Sequence, residues 1–230
     1  MDFGFMLECF KRLLTGVPVT LGLSLFSCAV GFVLASCLCA MRLSKKVWLD
    51  YPARTFVSIF RGTPLLVQLF VIYYGLGQFP WLRESFMWPY LREAYWCVLA
   101  ALALNTAAYT SEILRGGINS VDRGQIESAV SIGLRRDQIW RCVILPQAWR
   151  QMLPAYGNEI ILQIKSTSLA SIVTLMEVTG IAAKLVSQTY RPMEVFICAG
   201  ALYLFFNFVV TRVVNLIEAR LTRGMRRARS

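Results

Sequence analysis

Apolar residues occur in this chain in long blocks separated by clusters of charge. No Asp, Glu, Lys or Arg lies between Leu13 and Met41, a stretch longer than the roughly 20 residues a helix needs to cross a bilayer. It predicts a first span. A second is predicted from about Thr55 to Gln78, with Arg61-Gly62-Thr63-Pro64 near its start, and a third from Ala94 to Ser111. Roughly Met152 to Met176 makes a fourth and Val195 to about Ile217 a fifth, before the tail Glu218 to Ser230. Gly75, Gly77, Pro80 and Pro89 mark a turn-rich connection, with Trp81, Trp88 and Tyr90 as interfacial aromatics. The fold class is therefore all-α, a polytopic transmembrane helical bundle of five spans in a single domain over residues 1–230. No internal repeat is visible.

The longest interval dense in charge, Gln125 to Pro146, has a different pattern. Ile126, Ala129 and Val130 recur at helical spacing, and Ile139, Trp140, Val143 and Ile144 form a second stripe flanked by Arg136, Asp137 and Arg141. Gly133 supplies a stop between two short amphipathic helices, and Pro146 is expected to close the second. Such a pair is too short to span. It lies at a membrane face and offers its polar side to something soluble.

Composition narrows the class. Hydrophobic residues make up 57% and charged residues 16%, with a mean hydropathy of +0.54, against about 25% charge in soluble domains. The net charge of +11 would suggest nucleic acid in a soluble protein; here the basic residues report orientation. With five spans, the loop at 42–54, the central loop and the tail share one side and carry sixteen Lys and Arg, against six on the other. The positive-inside bias puts the amino terminus outside and the tail in the cytoplasm. Met1 to Arg12 mixes Asp2 and Glu8 with Lys11 and Arg12, unlike a cleavable signal. Histidine is absent, which removes histidine-based triads and the usual zinc sites. The seven cysteines include no C-x-x-C pair, so neither a disulfide framework nor a metal site is expected.

The fourth span holds the most chemistry. Tyr156, Glu159, Gln163, Ser166 and Ala170 share one helical stripe, while Asn158 and Lys165 lie on another. A charge at membrane depth costs at least about 2.5–3.5 kcal/mol, so Glu159 and Lys165 are expected inside the bundle, facing protein, water or ligand. Two readings of Glu159 stand: it holds a cationic group of a polar solute, or it pairs with another helix. For Lys165 a structural pairing or subunit contact is the expectation. In the third span Asn105, Tyr109 and Glu112 share a stripe; Asn105 and Thr106 either line the same path or join helices by hydrogen bonds. Arg61 is expected to snorkel to the headgroups.

Glu127-Ser128-Ala129, Gly133 and Leu145-Pro146 resemble the EAA loop of ABC importer membrane subunits, in which Glu-Ala-Ala is followed by Gly and later by Ile-x-Leu-Pro. Ser128 stands in place of Ala and Val143 in place of Ile. Phe60 to Leu65 with Gln68, the run Leu104 to Ile113, and Leu153 to Glu159 followed by Ser166 to Ala170 extend the likeness. Together they resemble the polar amino acid permeases, closest to the histidine, lysine, arginine, ornithine and opine group and its M-type subunit. The resemblance implies a type I importer permease with the MetI-like fold and a cytoplasmic coupling loop at about 112–150. It implies Asn105, Thr106, Tyr109, Glu159, Gln163 and Ser166 along the solute path. It also implies partners: two ATPase chains that bind ATP and Mg, a second permease chain of different sequence, and an external solute-binding protein, all in or at the lipid of the inner membrane. No catalytic residue, metal or cofactor is expected in this chain, which has no G-x-x-x-x-G-K-[ST] phosphate loop, and no nucleic acid. The competing classes are a self-contained carrier or channel, which usually has more spans and inverted repeats, and a lipid-modifying enzyme.

Overall fold

The computed structural model describes residues 3–44 and 46–226, with 221–226 as backbone alone. Lys45, Arg227 and Arg229, which count toward the charge asymmetry, lie outside the described residues, as do the side chains of Arg223 and Arg226. Every regular element among the described residues is helical. The chain opens with α1 (Phe3–Leu14), an amphipathic helix that the apolar blocks do not predict, and turns at Thr15 and Gly16 into α2 (Val17–Leu43). Pro18 sits in the first turn of α2, where its missing N–H breaks no intrahelical bond.

The second span is not one rod. It starts earlier than expected, at α3 (Val47–Gly62), and bends by 106° before α4 (Leu65–Phe70), which continues as a π-turn and a 3-10 turn to Gln78. Thr63 precedes Pro64 and is extended (φ −117°, ψ 145°), as steric conflict with the proline ring requires. The orphaned carbonyls at the break find a donor. Gln68 Nε2 lies 2.8 Å from the Phe60 carbonyl, 2.9 Å from Thr63 Oγ1 and 3.1 Å from the Thr63 carbonyl.

Two short helices, α5 (Pro80–Arg83) and α6 (Trp88–Leu91), make the connection to α7 (Ala94–Asn119). The charged interval then gives α8 (Arg123–Ser131), α9 (Arg136–Gln138) and α10 (Leu145–Ser166). Pro146 does not close this segment. A π-turn over Ile139–Ile144 joins α9 to α10, and its extra residue leaves room for a proline ring that an α-helix could not hold. After a 3-10 stretch to Val173, α11 (Val178–Thr189) follows at 47°, also unforeseen, and α12 (Pro192–Arg226) completes the chain. Glu177 caps α11, accepting from Thr179 N at 2.9 Å, Gly180 N at 2.8 Å and Tyr203 Oη at 2.8 Å.

Among the described residues three helices are long and apolar enough to cross a membrane, and the number reaches the expected five when each of the two bent pairs counts as one span. The most extensive packing joins α2 to α7. Gly31 makes it possible: a Cβ there would lie 2.1 Å from Thr106 Cγ2 and 3.1 Å from the Ala103 carbonyl. At one end, Glu112 of α7 pairs with Arg42 of α2 and, at 2.7 Å, with Arg115, while Asp50 of α3 holds Arg54 at 2.7 Å. Gly31→Val should lower the thermal stability of the purified protein by about 1–3 kcal/mol through overpacking, read by circular dichroism. Gly200→Val, where nothing lies within 4 Å, should change it by less than about 0.5 kcal/mol; equal losses in both would contradict this packing.

Candidate solute cavity and docking hairpin

The break at Thr63-Pro64 opens a cavity of about 280 Å³ against α7 and α10. Thr63, Pro64, Leu65, Asn105, Tyr109, Glu159, Leu162, Gln163 and Ser166 line it. Five of the six residues expected along the path thus meet here from two helices. The sixth, Thr106, is buried behind the wall and donates to Glu159 Oε1 at 3.0 Å. Glu159 is 7% exposed; its other oxygen accepts no hydrogen bond from the described residues. Gln163 donates to Ser27 Oγ at 2.7 Å and to the Leu102 carbonyl at 3.3 Å, so its amide nitrogen is engaged and its oxygen is free to accept. Asn105 does both things expected of it as alternatives: it faces the cavity and donates to Gln68 Oε1 at 3.0 Å.

Arg61 is exposed, as the snorkelling expectation allows, and also meets an aromatic ring. Its guanidinium lies 5.3 Å from the centre of the Tyr109 ring, a cation–π distance. The cavity therefore combines one buried carboxylate with amide and hydroxyl groups, and one of its lining rings, Tyr109, carries the Arg61 cation. Four neighbouring residues do not line the cavity. Tyr156 leaves the stripe and packs edge-on against Phe32 at 5.5 Å. Asn158 and Lys165 stand on the outer surface of the chain, and Lys165 makes no ion pair among the described residues, so of its two expectations the pairing within this chain is not found and a subunit contact is left. Glu112 turns from the Asn105 stripe to the arginine cluster.

The hairpin at the basic end is built from local rules. Asp122 caps α8, accepting from Gly124 N at 2.6 Å. Ala129 is buried with Val121, Ile139, Ile144 and Ala148, which fixes α8 against the π-turn. Glu127 and Ser128 are exposed, and Val130 and Ile132 present apolar surface beside them, Ile132 at 76% exposure. Gly133 ends α8 with φ +82° and donates to the Val130 carbonyl at 2.9 Å. Leu145 and Pro146 sit on the other arm, at the start of α10; both are exposed, and Leu145 lines a separate apolar groove. Glu127, Ser128 and Gly133 therefore lie on the surface of one arm, and buried Ala129 packs that arm against the second, whose Gln147 donates to Gln125 beside Leu145 and Pro146. Ser27 and Leu162 carried no signal in the sequence, because their role depends on which helices meet. Gln68 was marked only by the motif it shares with Thr63 and Pro64.

Comparison with known proteins identifies the family. The family model of the binding-protein-dependent transport system inner membrane component matches residues 29–223. An octopine transport system permease protein of Rhizobium meliloti is 60% identical, covering 98% of this chain and 92% of that protein. A nopaline transport system permease protein of Agrobacterium fabrum is 52% identical over 98% and 94%. The solved structure of an amino acid ABC transporter aligns with a TM-score of 0.85 at 33% identity, covering 96% of this chain and 99% of that one. The chain belongs to the binding-protein-dependent transport system inner membrane components: it is a membrane-spanning ABC importer permease with the MetI-like fold, in a family whose ATPase is a separate subunit.

Proposed function

We propose that this permease passes a basic amino acid or opine into the cell, with Glu159 receiving the solute's ammonium or guanidinium group. The observation that carries this reading is the buried Glu159 carboxylate, one oxygen steadied by Thr106 and the other left for a ligand in a polar cavity. A cation entering that site recovers the desolvation that burial imposes on the carboxylate. The octopine and nopaline permeases among its relatives support the substrate class.

The amino terminus faces outward and the tail inward, following the basic residues. In that orientation the α8 hairpin meets an ATPase subunit in the cytoplasm, where ATP and Mg are bound. An external binding protein delivers solute to the opposite face. A second permease of different sequence covers the outer stripe of α10, because Asn158 and Lys165 cannot face lipid. Together with two ATPase chains these form the complete importer. ATP acts by binding one state of the assembly better than the other, and the hairpin carries that preference to the spans.

Two outcomes test the reading. In proteoliposomes with ATPase, second permease and binding protein, Glu159→Gln should slow ATP-driven uptake of a cationic solute by about 10- to 100-fold, the scale of a charged hydrogen bond, and spare a neutral one. Equal losses for both would make Glu159 structural. Gly133→Arg should uncouple ATP hydrolysis from uptake while leaving membrane insertion intact. Space is not the reason, since a Cβ there meets nothing within 4 Å; the positive φ is, costing roughly 1–2 kcal/mol for most side chains. Gly133→Asn, which tolerates that conformation, should retain coupling, and normal ATPase docking in the Arg variant would refute the assignment.

A further inference from the structure

A second compartment lies at the end of the bundle that carries the arginine cluster. An apolar groove of about 500 Å³ opens between α2, α7 and the start of α10. Phe32 and Ala40 of α2, Leu114 of α7 and Met152 of α10 form its walls, with Trp140 and Trp149 partly exposed at its rim. Leu114 is nine positions from Asn105, half a turn around the helix, so on α7 the groove backs onto the face away from the Asn105 side of the cavity. Beside it α2 exposes Leu25 and Val33, as a lipid-facing helix does.

The groove continues into a polar cleft of about 350 Å³, and Leu43 and Ser44 line both. Arg42, Lys46, Arg54 and Arg115 line the cleft, with Asp50 as its one acid. Arg42 Nε and Asp50 Oδ1 are both buried there without a hydrogen-bond partner, 3.8 Å apart as an ion pair too long to be a hydrogen bond. A donor left idle in a part-buried site is a cost that an acceptor removes.

We propose that groove and cleft together bind one anionic phospholipid, an acyl chain in the apolar part and the phosphate in the cationic part. The polarity divides as a phospholipid does, the tryptophans mark headgroup depth, and basic pockets between spans select anionic headgroups. The excess of cations over acids disfavours a headgroup of no net charge. The lipid would touch Trp140 and Leu145, on the π-turn and at the head of α10, where the docking hairpin joins its span. It would thus brace the joint through which the hairpin moves the bundle, a consequence that rests on the coupling reading, whereas the binding does not.

The test is lipid retention by the intact, delipidated transporter complex, titrated with phosphatidylglycerol or phosphatidylcholine and read by native mass spectrometry. The expected result is preferential retention of phosphatidylglycerol. Lys46→Gln with Arg54→Gln, both exposed side chains, should weaken that retention roughly thirty-fold, about fivefold for each charge, and leave phosphatidylcholine unchanged. Ala40→Trp, which fills the groove, should abolish retention of both. Equal retention of the two lipids by the native complex, phosphatidylglycerol binding unchanged in the charge variant, or a protein subunit found filling the groove in the assembled complex would overturn the proposal.

Discussion

A carboxylate buried among apolar helices has to be held by something, and in this protein it is held by the close approach of α2 and α7. Gly31 lets α2 press against Thr106, and Thr106 in turn donates to Glu159 on α10. Ser27, one turn earlier on α2, takes the Gln163 amide in the same way. The cavity wall is therefore set by backbone contact between two helices that do not themselves supply its charge. Loosening that contact would free Glu159 to find other partners.

Polar groups inside a bilayer must be satisfied internally, and that rule accounts for the irregular elements as well. Pro64 interrupts the second span, and the cost is contained because Gln68 reaches back to the stranded carbonyls while Asn105 engages the Gln68 oxygen. The interruption creates the cavity mouth. At the other end Pro146 is absorbed by a π-turn, so the hairpin arm and α10 form one continuous lever. Both departures from regular helix lie between the polar cavity and the α8 hairpin, the two sites of the proposed function, and neither is a flaw in the bundle.

Much of this was legible in the chain. Uncharged runs fix spans because length and apolarity alone decide whether a helix crosses, and the Gly133 stop is a local rule that needs no tertiary information. The stripe of Glu159, Gln163 and Ser166 was readable for the same reason. What escaped depends on neighbours. At 12 residues each, α1 and α11 are too short to be read as spans by themselves, and both acquire their place by packing against α12. Pro146 reads as a terminator until the wide turn before it is seen. Of the two expectations for Lys165, a pairing within the chain and a subunit contact, its outward position fits the second, and which surface a partner covers cannot be read from one chain. Family membership removes the self-contained carrier and the lipid-modifying enzyme, which composition alone left open.

The central claim is that the carboxylate of α10 receives the solute's positive group. It is tested most directly by a structure of the assembled importer trapped with a cationic solute. The account predicts the ammonium or guanidinium within hydrogen-bond distance of Glu159, in the space between Thr63 and Tyr109. Solute density elsewhere, with Glu159 bonded to Thr106 alone, would contradict it.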